Sequence, residues 1–189
     1  MNIDQVFSQL PTLNTKRLIL RRMLLSDAQD IYEYASDFEV SKTTNWSPHT
    51  SVEDSKIYLK SMLKRYSYNQ ASEWGIVLKK TGKMIGTCGF TSWLPAHYSG
   101  EIGYSLGQRY WNLGFTTEAI KKVIEFGFKN IKLNRIEARC RLDNPASERV
   151  MQKVGMEFEG IQRDIMFVKK RFISLKVYSI LVSDYKNLD

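Results

Sequence analysis

EIGYSLGQRYWNLGFTTEAIKKVIEFGF, residues Glu101–Phe128, is the stretch whose reading decides the fold. Gly100–Leu106 alternates apolar and polar residues as a strand does. A turn follows, Arg109-Tyr110-Trp111-Asn112-Leu113-Gly114, and a helix opens at Phe115-Thr116-Thr117-Glu118. Ala119, Ile120, Val123, Ile124, Gly127 and Phe128 form its inward stripe, and Glu118–Lys122 and Glu125–Lys129 are outward i,i+4 pairs. A helix N-terminus leaves backbone N–H groups without partners and carries about half a positive charge. Delivered by a strand through a Gly-ended turn, those donors converge on one point, which suits phosphate oxygens.

Working outward, Arg17–Met23 alternates as a first strand. Ser26 with Gln29, and Thr50 with Glu53, have the spacing of capping boxes before two helices. Glu73–Leu78 and Met84–Trp93 read as strands joined by the hairpin signal Thr81-Gly82-Lys83. Beyond the central helix, Arg135–Arg141 is a fifth strand. Asn144-Pro145 starts a helix that Gly155 ends. Two closing strands follow, Glu157–Met166 and Phe172–Val182. A helical crossover joins the fourth and fifth strands, so these two pair in parallel. The expectation is an α/β fold: a mixed, mostly antiparallel sheet with one parallel pair and helices on both faces.

The chain has 189 residues, 43% hydrophobic and 25% charged, an ordinary globular mixture. No apolar run suits a signal peptide or a bilayer span, so a cytoplasmic location is expected and no membrane partner. Cys88 and Cys140 lie in strand-like runs and read as buried free thiols; His49 and His97 are too isolated for a metal site. The net charge is +8. Basic residues at 16–22 and at 169–171 are candidates for one shared patch.

The turn resembles motif A of the Gcn5-related N-acetyltransferases, Q/R-x-x-G-x-G/A, with Arg109 and Gly114 at its ends and Asn112 in place of Gly. Asn tolerates positive φ, so the turn survives. DNPASERVMQKVGMEFEG, residues 143–160, is similar to the N-x-x-S-x-R-x-x-x-K-x-G-F segment of RimJ/RimL-type ribosomal-protein alanine acetyltransferases. Asn144, Ser147, Arg149, Lys153 and Gly155 fit, and Met156 replaces Phe. The resemblance implies one N-acetyltransferase domain over residues 15–185 with an N-terminal extension at 1–14. It implies acetyl-CoA as co-substrate and no metal. Arg109, Asn112, Leu113, Gly114, Phe115 and Thr116 would hold the pyrophosphate. Splayed fourth and fifth strands would take the pantetheine arm near Tyr104, Ser105 and Leu106, with Asn144 and Ser147 beside it.

Family members often use a Tyr to protonate the departing thiolate. Met151 stands at that position, and Ser147, one turn back, is the RimL-type substitute. Glu159 matches the base of the F-x-E-G segment, with Glu101 as its rival and a water relay as the third option. Tyr104 and Trp46 are candidates to line the acceptor cleft. Neutralising a lysine ammonium at pH 7 costs roughly 4–5 kcal/mol and an α-amino group about 1, which favours a protein N-terminus, including that of a ribosomal protein. The Asp of the G-x-W-x-D segment is absent here, where Phe172-Ile173-Ser174 stands. A small-molecule amine (polyamine, amino acid or antibiotic) is the enzymatic alternative. A basic RNA- or ribosome-binding module without catalysis is the non-enzymatic one; nucleic acid is otherwise not an expected partner. No G-x-G-x-x-G follows the first strand, which argues against a dinucleotide-binding domain.

Overall fold

The structure is a computed structural model and describes residues 5–186. Its eight strands are β1 (Leu13–Asn14), β2 (Leu18–Arg21), β3 (Glu73–Leu78), β4 (Met84–Leu94), β5 (Ser99–Leu106), β6 (Arg135–Arg141), β7 (Glu157–Val168) and β8 (Arg171–Leu181). They form one sheet in the order β1-β2-β3-β4-β5-β6-β8-β7. Only β5 and β6 pair in parallel, as the crossover helix requires. The helices are α1 (Ala28–Ala35), α2 (Phe38–Ser41), α3 (Val52–Ser67), α4 (Phe115–Lys129), α5 (Pro145–Lys153) and α6 (Val182–Lys186).

Period-two alternation sorts the strand residues to two faces. Trp74, Cys88, Phe90, Ile102 and Ile136 are buried on the face that α4 covers, where Trp74 meets Phe126 edge-on at 5.4 Å. Gly127 lets α4 lie close: a Cβ there would sit 2.6 Å from Ile136 Cδ1. The opposite face carries Glu73, Thr87, Gly103, Ser105 and Glu101 and receives α1 and α3. Tyr34 of α1 reaches the hydroxyls of Ser105 and Thr87, and Tyr58 of α3 donates to Glu73 at 3.3 Å. Helices thus cover both faces.

Several expectations need adjusting. The described part of the segment before residue 15 packs on the domain: Val6, Phe7 and Leu10 are buried, and Pro11 O accepts from Trp74 Nε1 at 2.7 Å. The box before α1 is replaced by Asp27, whose carboxylate accepts from Leu24 N at 2.7 Å and binds Arg21 through both oxygens at 2.8 and 2.7 Å. Before α3 the acid is Asp54, bonded to Thr50 N and Ser51 N, so the helix starts one residue late. Basic residues 16–22 belong to β2 and its approach, and 169–171 to the β7–β8 turn; the sheet order puts these near opposite edges and separates the expected patch.

Asp27 is 5% exposed, and it ties β2 to the start of α1. Removing one member of such a pair strands the other charge, at a cost of about 3 kcal/mol. Asp27→Ala should therefore lower the urea midpoint with an unchanged slope. A loss under about 1 kcal/mol would mean solvent screens the pair.

Candidate active site

The Gly107–Gly114 loop is held by one of its own side chains and by backbone. Trp111 Nε1 donates to Leu106 O at 2.7 Å, and Gly107 N donates to Ile85 O at 2.9 Å. Asn112 and Gly114 take positive φ, +60° and +78°, so the Asn at the usual Gly position makes the same turn. Gly114 is the N-cap of α4 and supplies no side-chain cap, leaving the first-turn donors facing outward. Arg17, which the motif reading missed, pins the loop. Its Nη1 donates to Leu113 O at 2.9 Å, its Nε to Glu118 at 2.6 Å, and its guanidinium lies 4.2 Å from the centre of the Phe115 ring. Thr15 also donates to Glu118, at 2.6 Å. The signal was present in the sequence: an outward Glu in the first turn of α4 and a basic pair heading β2. Arg109 is exposed on the loop's outer side. An uncapped helix end behind a turn with two left-handed residues fits a pyrophosphate.

The second element is a gap in the sheet. Parallel pairing runs from Ser99–Arg135 to Ile102–Ala138 and stops there, although both strands continue. The residues beyond, Gly103–Leu106 and Arg139–Arg141, flank an opening. On its α5 side the Tyr104 hydroxyl lies 2.8 Å from Ser147 Oγ and 3.0 Å from Ser147 O. Tyr104 therefore faces α5. Burial pushes its phenol well above the ordinary range. Asn144 Oδ1 accepts from Ser147 N at 3.1 Å, so Asn144 caps α5 at the mouth of the gap. Met151 is buried in the core, where it can neither give nor take a proton. The hydroxyls of Tyr104 and Ser147 line the α5 side of the gap and offer polar contacts to an amide-bearing thioester arm.

The other side carries the carboxylates. Glu159 lies on β7, beyond β6 and β8. Arg135 grips it at 2.6 and 2.5 Å, and Ser179 donates at 2.7 Å. The Arg135 bonds hold its pKa at about 2, against some desolvation. A carboxylate so satisfied is a poor proton acceptor, and it sits two strands outside the gap; the geometry counts against Glu159 as the base. Glu101 is placed differently. It lies two residues before Gly103 on the same face, with Arg139 at 3.8 Å. Burial raises its pKa, Arg139 opposes this, and Glu137 adds to it. The motif reading also missed Glu73, because it heads an otherwise apolar strand. Burial raises its pKa, while the field of Arg65 and bonds from Tyr58 and Thr87 act against that. Among the described residues no group of three His, Cys, Asp or Glu is arranged to hold a metal, and no helix is long and apolar enough to cross a membrane. Cys88 and Cys140 are free and buried.

Two outcomes follow from this geometry. Gly114→Val must force a β-branched residue to positive φ and crowd the donors, so calorimetry should show acetyl-CoA affinity falling at least about tenfold, or 1.4 kcal/mol. Unchanged affinity in a folded variant would place the cofactor elsewhere. For Glu159 the native pKa is depressed, so its stabilisation is complete above the unfolded value near 4.3 and fades as pH falls toward about 2. The side chain is 41% exposed, which keeps the effect below about 1 kcal/mol. Glu159→Gln should lower stability in denaturant titrations at pH 7 and have a smaller effect at pH 3; equal effects would show that the ion pair is not its source.

Comparison with known proteins agrees with this geometry. The acetyltransferase (GNAT) domain model matches residues 17–157. "Uncharacterized N-acetyltransferase p20" of Bacillus licheniformis is 37% identical over 174 residues, 92% of this chain and 98% of that protein. "Uncharacterized N-acetyltransferase YoaA" of Bacillus subtilis (strain 168) is 34% identical over 171 residues, 90% and 97% of the two chains. The crystal structure of a GNAT-family acetyltransferase from Bacillus anthracis superposes with a TM-score of 0.81 at 27% identity, covering 90% of this chain and 98% of its own. The uncapped α4 terminus and the open β5–β6 pair are the places such an enzyme needs for acetyl-CoA, and the chain belongs to the GNAT family of N-acetyltransferases.

Proposed function

We propose that the enzyme passes the acetyl group of acetyl-CoA directly to a primary amine, and that the amine enters from the α1–α3 side of the β5–β6 gap. The observation that carries this is the end of pairing at Ile102–Ala138, with the Tyr104–Ser147 hydroxyls on one side and Glu101 on the other. The Arg109–Thr116 loop and Asn144 hold the cofactor. Backbone at Tyr104–Leu106 meets the thioester oxygen as charge develops, a contribution typically worth a few kcal/mol. Glu101 takes the ammonium proton, directly or through water. The amine nitrogen then attacks the carbonyl carbon, the carbon–sulfur bond breaks, and Ser147 Oγ gives its proton to sulfur. The second proton that nitrogen sheds on becoming an amide returns through water to Ser147 Oγ, which Tyr104 orients. Cytoplasmic residence fits the two free thiols.

Two acceptor classes fit this chemistry. The α-amino group of a protein N-terminus is favoured by its low proton cost. It also draws on the RimJ/RimL-like 143–160 segment and on a 26% match over 103 residues to the ribosomal-protein-serine acetyltransferase of Escherichia coli (strain K12). A small cationic amine is the second class: Glu73, Glu101, Glu137 and Glu159 share one sheet face, with Arg135 and Arg139 paired to the last three and Arg65 reaching Glu73 through its field.

If Glu101 is the base, Glu101→Gln should lower kcat/KM about a hundredfold at neutral pH. The defect should shrink towards pH 9, where solution supplies neutral amine; a parallel pH profile would remove Glu101. Ser147→Ala should lower kcat with little change in acetyl-CoA affinity. A fall in affinity at unchanged turnover would make Ser147 a binding residue only.

A further inference from the structure

We propose that the bare outer face of the β7–β8 hairpin is a self-association surface, on which a second copy of this chain packs about a two-fold axis that runs the two hairpins in opposite directions.

Register sets the face. β7 is the outermost strand of the sheet, and it pairs with β8. Lys176 and Tyr178 both donate to Glu148 of α5, at 2.7 and 2.6 Å, so the even-numbered residues of β8 face the α5 side. Paired residues of antiparallel strands share a side. Phe158 lies opposite Tyr178, Ile161 opposite Lys176 and Phe167 opposite Phe172, which puts all of them on that side. The rings already meet in pairs, Phe158 with Tyr178 at 5.4 Å and Phe167 with Phe172 at 5.1 Å between centroids. Even so, Phe158 and Ile161 are each 52% exposed, Phe167 64% and Phe172 65%. A sheet face that only meets water carries polar side chains at such positions. A row of aromatic and branched residues marks a face that is covered by something.

The hairpin is complementary to itself. Glu157 opens β7, Lys170 and Arg171 stand at its far end, and all three are exposed. With two hairpins antiparallel, Glu157 of one copy meets Lys170 and Arg171 of the other. Phe158 then meets Phe167 and Phe172, and Ile161 lies near the axis, the self-matching pattern of a closed dimer. Four half-exposed apolar side chains offer roughly 400 Å² per copy. Their polar rim brings this towards the roughly 800 Å² per partner of a standard interface. The free edge of β7 is a poorer template, because bulges at Phe158/Gly160 and Gln162/Met166 interrupt it. The surface lies on the α5 side of the sheet, opposite α1 and α3, and is separate from the Gly107–Gly114 loop.

Sedimentation equilibrium of the full chain tests this. Wild type should show twice the protomer mass at micromolar concentration. Phe167→Ser combined with Phe172→Ser should raise the dimer Kd at least about a hundredfold, since two aromatic anchors are lost. Its acetyl-CoA affinity should hold, which checks the fold. Glu157→Lys should raise Kd about tenfold, because the two-fold axis repeats each charge pair. Adding Lys170→Glu to it should restore association. A wild type still monomeric at about 100 µM, where even a weak specific dimer forms, overturns the proposal. If that monomer sediments with phosphatidylglycerol vesicles, the cover is a lipid surface instead. A dimer indifferent to the two Phe substitutions, a mass beyond twice the protomer, or a charge swap that fails to rescue also overturns it. Should the double Ser variant lose acetyl-CoA binding, the charge-reversal pair decides.

Discussion

The interaction on which the rest depends is the parallel pairing of β5 and β6, and above all its early end. Four residue pairs hold the strands together, and beyond Ile102–Ala138 they part. Antiparallel neighbours keep each strand anchored on its other side, β4 on β5 and β8 on β6, so the opening costs only the hydrogen bonds between the two. Both strands lead into helices, β5 into α4 through the Gly107–Gly114 loop and β6 into α5 through Asn144. The break in the ladder lies beside the capping Asn and the Ser147–Tyr104 hydroxyl pair.

Electrostatics divides that space. The cofactor side offers uncapped donors and Arg17 beside the loop, which suit phosphate. The acceptor side holds carboxylates of two kinds. Glu159 is ion-paired with Arg135 through both oxygens. Glu101 and Glu73 are desolvated with less compensation, and such groups are where proton transfer and cation recognition are commonly found. The net charge of +8 says little about either side, because the basic residues are dispersed toward opposite edges of the sheet.

The parts of this arrangement legible in the sequence are those set by local rules. Alternation located the strands of the sheet core, Asn144-Pro145 marked α5, and the crossover required a parallel pair. Asn112 was read as able to make the loop's left-handed turn, and it does. What local rules could not show depends on register. Glu159 matched a motif, but its partner Arg135 lies 24 residues away, a pairing that lowers its pKa and that no local pattern shows. Glu73 carries no motif; its bond from Tyr58 of α3 is set by the tertiary fold. The caps of α1 and α3 sit one residue later than the hydroxyl spacing suggested: Asp27 binds the turn before α1, and Ser51 forms its box with Asp54.

Hydrogen exchange with and without acetyl-CoA tests the central claim most directly. If the β5–β6 gap holds the thioester arm and the α4 terminus holds the pyrophosphate, cofactor should slow exchange at residues 103–117 and 139–147. The β2–β3 edge and the β7–β8 turn should be unchanged. Protection centred on those outer elements, with the gap exchanging as before, would contradict the account.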